Sequence, residues 1–253
     1  MSKLIAITGK GGVGKTTISA LLIKNLLDGG NRPVLAIDAD PNSCLDTALG
    51  VTVTDTVGRA REDARASAGT NAGVSTRELL HLKLESALVE AKGFDLIAMG
   101  RPEGEGCYCY ANNILKEVIS EISSSYPYVV LDNEAGLENL SRRIVQKVDL
   151  LVLVSDASNS GLQTLLRLYE LANEMKMSYN KLALVINKLR SDKQPERIEE
   201  IREKTKADIV ICLPNDEEIA AFAEENKNFL EISELNQVYQ KIRELAEPLF
   251  SNP

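Results

Sequence analysis

The chain has 253 residues, enough for one α/β domain with a sizeable core, and its formal net charge is −8. The acidic balance argues against nucleic acid or an anionic membrane as a main partner, and no apolar run approaches the roughly 20 residues that span a bilayer. With four cysteines, one histidine and no signal-peptide pattern, we expect a cytoplasmic protein without a multi-histidine metal site in one chain.

Short apolar runs rich in β-branched residues alternate with amphipathic helix patterns along the whole chain. The predicted strands are Lys3–Thr8, Pro33–Asp38, Phe94–Met99, Tyr128–Asp132, Leu150–Ser155, Leu182–Asn187 and Ala207–Leu213. The predicted helices are Lys15–Leu27, Thr76–Ala91, Asn112–Ser123, Leu137–Lys147, Leu162–Met175, Pro195–Lys204, Glu217–Glu225 and Ser233–Leu249. Continuous apolar strands separated by helices predict one doubly wound, mostly parallel sheet of about seven or eight strands, with helices on both faces. We expect a single domain over residues 1–253.

Residues 9–16, Gly-Lys-Gly-Gly-Val-Gly-Lys-Thr, match the phosphate-binding pattern G-x-x-x-x-G-K-[ST] between a predicted strand and a predicted helix. Glycines let backbone N–H groups turn inward around phosphate oxygens, and the helix N-terminus adds partial positive charge. Lys15 can reach the β- and γ-phosphates, and the Thr16 hydroxyl can ligate Mg²⁺. The predicted nucleotide contacts here are Gly9, Lys10, Gly11, Gly12, Val13, Gly14, Lys15, Thr16 and Thr17.

Acidic residues follow two further strands, where open α/β sheets place their ligands. Asp132 ends an apolar strand in the manner of a Walker B carboxylate and is predicted to hold Mg²⁺. Gly136 can offer its backbone N–H to the γ-phosphate. Asp38 and Asp40 end the second strand, and either carboxylate can orient the attacking water or support Mg²⁺.

The segment Asn187-Lys188-Leu189-Arg190 is similar to the base-reading N-K-x-D of GTPases, but an arginine stands where guanine requires a carboxylate. Asn187 alone suits adenine, which offers one donor and one acceptor, so ATP and ADP are the predicted nucleotides. Further adenine contacts are predicted from the residues after the last strand, Leu213, Pro214, Asn215 and Asp216.

These motifs, in this order and spacing, resemble the deviant Walker A ATPases of the MinD/Mrp/nitrogenase-iron-protein group, within the SIMIBI class of P-loop NTPases. The resemblance implies a homodimer that closes over ATP, with Lys10 reaching the partner's nucleotide and neutralising charge during γ-phosphoryl transfer. It also implies that Asp40 is the catalytic carboxylate of the first switch loop and that a second switch follows Asp132. Lys10, Lys15 and Asp40 are therefore the predicted catalytic residues.

Cys107 and Cys109 lie in a glycine-rich loop after the third predicted strand. Two thiolates per subunit, four per dimer, suit Ni²⁺ or Zn²⁺ and less readily an iron–sulfur cluster. At the interface implied by the resemblance, the pair is similar to CooC-type ATPases, which assist nickel insertion into carbon monoxide dehydrogenase. That enzyme is the implied client, with Cys107 and Cys109 as an interfacial metal site.

Three alternatives stay open at this point. The cysteines can be small residues in a turn without metal, the chain can be a MinD-like positioning ATPase, or it can be an iron–sulfur scaffold or reductase. Cys44 and Cys212 are expected to be core or partly buried thiols, and His81 is expected on a helix surface. The terminal helix mixes charge signs on its polar face, which favours core packing over membrane binding.

Overall fold

An eight-stranded sheet, with strand order β3-β4-β2-β5-β1-β6-β7-β8, runs through the centre of the protein. The computed structural model describes residues 2–60, 86–100, 122–137, 147–190 and 196–250. The strands are β1 (Lys3–Gly9), β2 (Val34–Asp38), β3 (Leu88–Ala91), β4 (Phe94–Ala98), β5 (Tyr128–Ala135), β6 (Lys147–Asp156), β7 (Ser178–Leu189) and β8 (Ile209–Pro214). All neighbouring strands are parallel except β3 and β4. The predicted α/β fold class is confirmed.

Helices cover both faces of this sheet. The described α-helices are α1 (Lys15–Asp28), α2 (Leu45–Ala48), α3 (Asn159–Glu174), α4 (Glu196–Thr205), α5 (Glu217–Glu224) and α6 (Gln237–Phe250). Alternate side chains of β1 point to opposite faces, so Ile5 and Ile7 join the core under α1 and α6, whereas Leu4 and Ala6 join the core under α3 and α4. Because all strands except β3 are parallel to one another, their carboxyl ends lie at the same edge of the sheet.

A left-handed residue ends α1, as the Gly29-Gly30 pair predicts. The left-handed position is Gly30 (φ +76°), while Gly29 keeps φ −73°. The Asn31 N–H donates to the Leu26 carbonyl at 2.9 Å and the Gly30 N–H to the Leu27 carbonyl at 3.1 Å. This is the Schellman arrangement, which satisfies the last carbonyls of the helix.

Helix α6 packs its apolar face into the body of the protein, as predicted. Ile242 and Leu245 are fully buried against the core beneath α1. A polar contact closes the same interface: the Lys24 ammonium pairs with Asp28 at 2.6 Å, and the Tyr239 hydroxyl donates to Asp28 at 2.6 Å. Of the helices in the described ranges, none has the length and apolarity needed to cross a membrane.

The predicted helix Thr76–Ala91 is wrong at its end, because Leu88–Ala91 is strand β3, antiparallel to β4. Ala91 pairs with Phe94 across a two-residue turn, in which Gly93 has φ +91°. Such a turn needs a left-handed residue, and a lysine–glycine pair is a weaker hairpin signal than asparagine–glycine. Lys147 likewise begins β6 rather than ending a helix, and the predicted helix Asn112–Ser123 lies largely outside the described residues.

Candidate active site

The phosphate-binding loop connects the end of β1 to the start of α1. Gly12 (φ +77°) and Gly14 (φ +95°) occupy the left-handed region, which only glycine adopts without strain. A side chain at Gly11 or Gly12 would meet no atom within 4 Å, so the loop opens to solvent there. Gly14 is the N-cap of α1 and has no side chain to cap the helix, which suits the helix start to binding an anion.

Lys15 lies inside this loop. Its residue is only 9% exposed, and its ammonium group donates to the Lys10 carbonyl at 3.3 Å. Lys10 itself is exposed, together with Gly11 and Gly12. The two lysines therefore differ in placement: Lys15 is held at the phosphate loop of its own chain, whereas the Lys10 side chain faces outward, where another molecule can reach it.

Asp132 fits the predicted role of Mg²⁺ ligand. It is 1% exposed, and its Oδ1 atom has no hydrogen-bond partner among the described residues. Burial, strengthened by the nearby Asp38 carboxylate, raises the pKa of Asp132 to about 7, while the hydroxyls of Thr16 and Ser19 oppose that rise. A buried carboxylate with one unpartnered oxygen beside a threonine hydroxyl is a donor set that a hard divalent cation satisfies. Thr16 and Asp132 thus fit Mg²⁺ together.

The carboxylates of Asp38 and Asp40 do different things. The buried Asp38 accepts backbone N–H bonds from Asp40 at 3.0 Å and from Cys44 and Leu45 at 2.9 Å each. Burial raises the pKa of Asp38 to about 6, although these bonds favour the charged form. Asp40 is partly exposed, and among the described residues its carboxylate accepts from Asn42, at 2.9 and 3.1 Å. Asp38 therefore shapes the loop, and the catalytic role of the more exposed Asp40 stays a prediction.

The segment after Asp132 is hydrogen-bonded to β1. The Gly136 N–H, predicted to meet a γ-phosphate, donates to the Gly9 carbonyl at 3.1 Å. The Thr8 hydroxyl donates to the Gly136 carbonyl, and the Asn133 amide donates to the Ile7 carbonyl at 3.0 Å. The role of Gly136 in phosphate binding stays a prediction, because it requires the bond to Gly9 to open.

Asn187 and Lys188 contact the phosphate loop rather than an open base site. The Asn187 Nδ2 donates to the Val13 carbonyl at 2.8 Å, and the Lys188 ammonium donates to the Gly12 carbonyl at 3.1 Å. The Asn187 Oδ1 accepts from the Lys188 N–H at 2.8 Å. Sequence reasoning missed this loop-holding role, although the strand-end position of the pair could have indicated it. Adenine recognition by these residues stays a prediction.

The predicted adenine wall after β8 is largely occupied in holding the fold. Leu213 is fully buried, and the Asp216 Oδ1 caps α5 by accepting from the Ile219 N–H at 2.9 Å. The Asn215 N–H donates to the Leu189 carbonyl at 2.9 Å, which links β8 to β7. Pro214 and the exposed Asn215 keep free surface, so they are the members of this segment available to a base.

Asp156 brings a carboxylate to the same edge of the sheet and was not among the predicted site residues. It ends β6, where it pairs in register with Asn187 of β7. Hydrogen bonds from Ser158 lower the pKa of Asp156 despite partial burial, and the nearby ammonium groups of Lys10 and Lys188 lower it further. Asp156 therefore stays ionised and sets the charge balance around the exposed lysine of the loop.

Two of the four cysteines, Cys44 and Cys212, lie within the described residues. Cys107 and Cys109 lie outside them, as does His81. Cys212 is buried as expected, but the expectation for Cys44 is wrong: Cys44 is exposed, because it is the residue before α2 in the loop that Asp38 shapes. In the ranges that the structure describes, no three or more His, Cys, Asp and Glu side chains form a group able to hold a metal ion.

The chain is similar to known nucleotide-binding proteins in sequence and in fold. A family model described as the CobQ/CobB/MinD/ParA nucleotide-binding domain matches residues 4–229. An uncharacterized ATP-binding protein of Methanocaldococcus jannaschii is 40% identical over 251 residues, 98% of each chain. The carbon monoxide dehydrogenase accessory protein CooC of Rhodospirillum rubrum is 34% identical over 199 residues, 74% of each chain. The solved cell division ATPase MinD of Pyrococcus furiosus has a similar fold, with a TM-score of 0.68 at 20% identity over 98% of each chain.

Proposed function

The chain belongs to the CobQ/CobB/MinD/ParA family of nucleotide-binding domains and is an ATPase, and from this we propose that it is a metallochaperone that assists nickel insertion into carbon monoxide dehydrogenase. In this proposal ATP drives two copies together, and Cys107 and Cys109 of both copies form one metal site. The observation that carries it is the 34% identity to CooC in a chain that also has the C-x-C pair.

Hydrolysis would use residues at the open edge of the sheet. Lys15 and the N–H groups of residues 11–16 bind the phosphates, and Asp40 orients the attacking water. Mg²⁺, held by Thr16 and Asp132, would draw negative charge from the phosphates. Lys10 of each copy would then neutralise the charge that develops on the partner's nucleotide. Its exposed position supports this role, because a lysine buried in its own loop could not reach a second copy.

The link between nucleotide and metal is a coupling of free energies. If ATP favours the closed dimer, it also favours the arrangement in which four thiolates meet, and hydrolysis weakens both. The metal affinity of the dimer should then depend on the bound nucleotide. Ni²⁺ is the cargo in this scheme, and Zn²⁺ is a competing ion that thiolates also accept.

Anaerobic titration with Ni²⁺ and Zn²⁺ tests the proposal. The intact chain, the Cys107→Ala/Cys109→Ala variant and the Cys44→Ala variant are compared with ATPγS, with ADP and without nucleotide, while the oligomeric state is recorded. We expect one metal per dimer with ATPγS, lost in the double variant and kept in Cys44→Ala, which removes an exposed thiol elsewhere. Cysteine-independent binding, or equal metal affinity in all nucleotide states, would refute the metal site.

A test with the client separates delivery from mere metal binding. Nickel-free carbon monoxide dehydrogenase is incubated with Ni²⁺, ATP and either the intact chain or the double cysteine variant. We expect the intact chain to accelerate recovery of carbon monoxide oxidation, and the variant to match the sample without ATPase. Equal acceleration by both proteins would show that the cysteines do not act in delivery.

A positioning ATPase is the second candidate, because the family includes MinD and ParA and a MinD structure shares the fold. Against a membrane-surface role stands the burial of the apolar face of α6. Among the residues whose burial the structure describes, the exposed large apolar residues are Leu171 and Leu235. Co-sedimentation with anionic vesicles and ATP distinguishes the metallochaperone from the positioning ATPase: pelleting with lipid would support the positioning ATPase.

An iron–sulfur scaffold would instead absorb near roughly 400 nm after anaerobic reconstitution.

A further inference from the structure

The backbone beyond Asp132 departs from the regular β1–β5 ladder. Ile7 pairs with Asp132 and Gly9 pairs with Ala135, so β5 uses one more residue than β1 over the same stretch. At this irregularity the Asn133 side-chain amide donates to the Ile7 carbonyl at 3.0 Å. Beyond the irregularity the ladder resumes with the Gly136 N–H donating to the Gly9 carbonyl at 3.1 Å.

The Thr8 side chain adds a hydrogen bond between β1 and the segment after Asp132. Its residue is fully buried, and its hydroxyl donates to the Gly136 carbonyl. Both backbone polar groups of Gly136 are thus bonded to β1: its N–H donates to the Gly9 carbonyl, and its carbonyl accepts from the Thr8 hydroxyl. The Thr8 hydroxyl is not itself a phosphate ligand in this site, because Thr8 lies in β1 before the phosphate loop begins.

The hydrogen bonding of the segment after Asp132 is incomplete among the described residues. The Asn133 Oδ1 is buried and has no hydrogen-bond partner in the part of the chain that the structure describes. Gly136 has φ +95°, and a side chain built there would meet nothing within 4 Å. Residues 133–136 therefore include one unpaired acceptor among the described residues, and there is open space beside Gly136. The unpaired acceptor lowers the free-energy cost of moving away from β1, because it can gain a partner in another position, and the open space leaves room for that movement.

We propose that Thr8 is a positioning residue that latches Gly136 onto β1, so that the Gly136 N–H stays committed to the Gly9 carbonyl until a γ-phosphate competes for it. The inference rests on the proposed ATPase site, in which Gly136 senses the γ-phosphate. ADP has no γ-phosphate and binds the latched and released forms equally, whereas ATP binds the released form better. A ligand shifts a conformational equilibrium only by such a difference in affinity.

Removing the latch should favour ATP selectively. Thr8→Val keeps the side-chain shape and removes the hydroxyl, and Thr8→Ser keeps the hydroxyl as the matched control. We measure ATPγS and ADP dissociation constants for wild type and both variants, with thermal unfolding to confirm that each protein is folded. In Thr8→Val we expect ATPγS to bind about three- to tenfold tighter, the factor that corresponds to one lost hydrogen bond, with ADP affinity unchanged. Thr8→Ser should match wild type.

Amide exchange gives a readout that does not depend on nucleotide. Peptides covering residues 129–137 are followed by mass spectrometry in nucleotide-free protein, and we expect faster exchange in Thr8→Val than in wild type and Thr8→Ser. Parallel changes in ATPγS and ADP affinity, an unchanged affinity ratio, or unchanged exchange would overturn the latch. Failure of the wild-type chain to bind any nucleotide would instead refute the ATPase site, and the exchange comparison would still decide whether Thr8 holds Gly136.

Discussion

The side-chain amide of Asn187, at the end of β7, donates a hydrogen bond of 2.8 Å to the Val13 carbonyl in the middle of the phosphate loop. The two residues are 174 positions apart in sequence. A side chain at Gly14 would collide with the same amide, 2.5 Å away. Asn187 therefore fixes the position of the phosphate loop relative to the end of β7, in addition to any contact it makes with bound nucleotide.

Asn187→Asp tests whether holding the loop is the main task of this residue. A carboxylate next to the Val13 carbonyl places two acceptors together, so the loop should shift and bind all nucleotides more weakly. We expect ATP and ADP affinity to fall at least about tenfold, because a favourable contact becomes a repulsive one. GTP affinity should fall by the same factor. Loss confined to adenine nucleotides would show that Asn187 mainly reads the base, and Lys188→Ala, at an exposed contact to the same loop, should have a smaller effect.

Asp40→Asn should separate hydrolysis from binding. Within the described residues, the hydrogen bonds to the Asp40 carboxylate come from the neighbouring Asn42, so we expect the fold to depend little on its charge, whereas water activation would depend on it. We expect kcat to fall by about 10²-fold or more with ADP affinity and melting temperature unchanged.

Asp38→Asn is the contrasting variant for that experiment. Its amide would face backbone donors that now meet two carboxylate oxygens. We expect a loss of about 2–3 kcal/mol in the free energy of unfolding, measured by denaturant titration. If Asp40→Asn destabilises the protein as much as Asp38→Asn does, the division of roles between the two residues is wrong.

Asp132→Asn should stabilise the metal-free protein while removing Mg²⁺-dependent binding. One oxygen of the buried carboxylate has no hydrogen-bond partner within the described part of the chain, and the group lies beside Asp38, so neutralising it removes a repulsion. We expect a higher melting temperature than wild type in EDTA near neutral pH, and no further rise when Mg²⁺ and ATPγS are added.

Asp149→Asn is the control, because both oxygens of Asp149 accept hydrogen bonds, from the Leu4 N–H at 2.9 Å and from Asn180 at 2.8 Å. This variant should lower the melting temperature. A decrease of similar size in Asp132→Asn would contradict the idea that the Asp132 carboxylate strains the metal-free fold.

Lys10→Ala should leave the single chain intact and prevent assembly. Lys10 is exposed, so its loss should change neither the melting temperature nor ADP affinity. We expect the variant to stay monomeric with ATPγS in sedimentation experiments and to hydrolyse ATP at background rate. Lys92→Ala, at an exposed lysine of the β3–β4 turn, serves as the control and should dimerise normally. ATPγS-dependent dimers of Lys10→Ala would rule out its action across the interface.

Tyr239→Phe probes the attachment of α6 to α1. Burial, together with the hydrogen bond to Asp28, raises the pKa of Tyr239 above its usual value. The stability from the protonated phenol is therefore complete below about pH 10 and is lost as pH rises through the higher folded-state pKa. We expect Tyr239→Phe to lose about 1–2 kcal/mol at pH 8 and to show a shallower further decline above pH 10 than wild type.

Denaturant titrations at several pH values measure this difference. Tyr169→Phe, at a partly buried tyrosine of α3, controls for the loss of a phenol. Identical alkaline slopes in wild type and Tyr239→Phe would show that the Asp28–Tyr239 bond does not contribute to the pH dependence.

The sequence by itself determined the features that depend on neighbouring residues. The glycines of residues 9–16, the apolar strand before them and the helix after them define a phosphate loop wherever they occur, because each backbone requirement is local. The same holds for seven of the eight strands, whose apolar runs are long enough to be recognised. The missed strand, β3, is short and depends on pairing with β4 rather than on its own composition.

The tertiary structure alone decided how the site residues divide their work. The family resemblance singles out Asp40, but only the folded loop shows that Asp38 accepts from three backbone donors, whereas the Asp40 carboxylate accepts from Asn42 within the described residues. Asn187 holds Val13, and Gly136 is tied to Gly9, because strands far apart in sequence end at the same edge of the sheet. Such contacts depend on strand order and register, which arise from packing of the whole core and leave no local pattern to read.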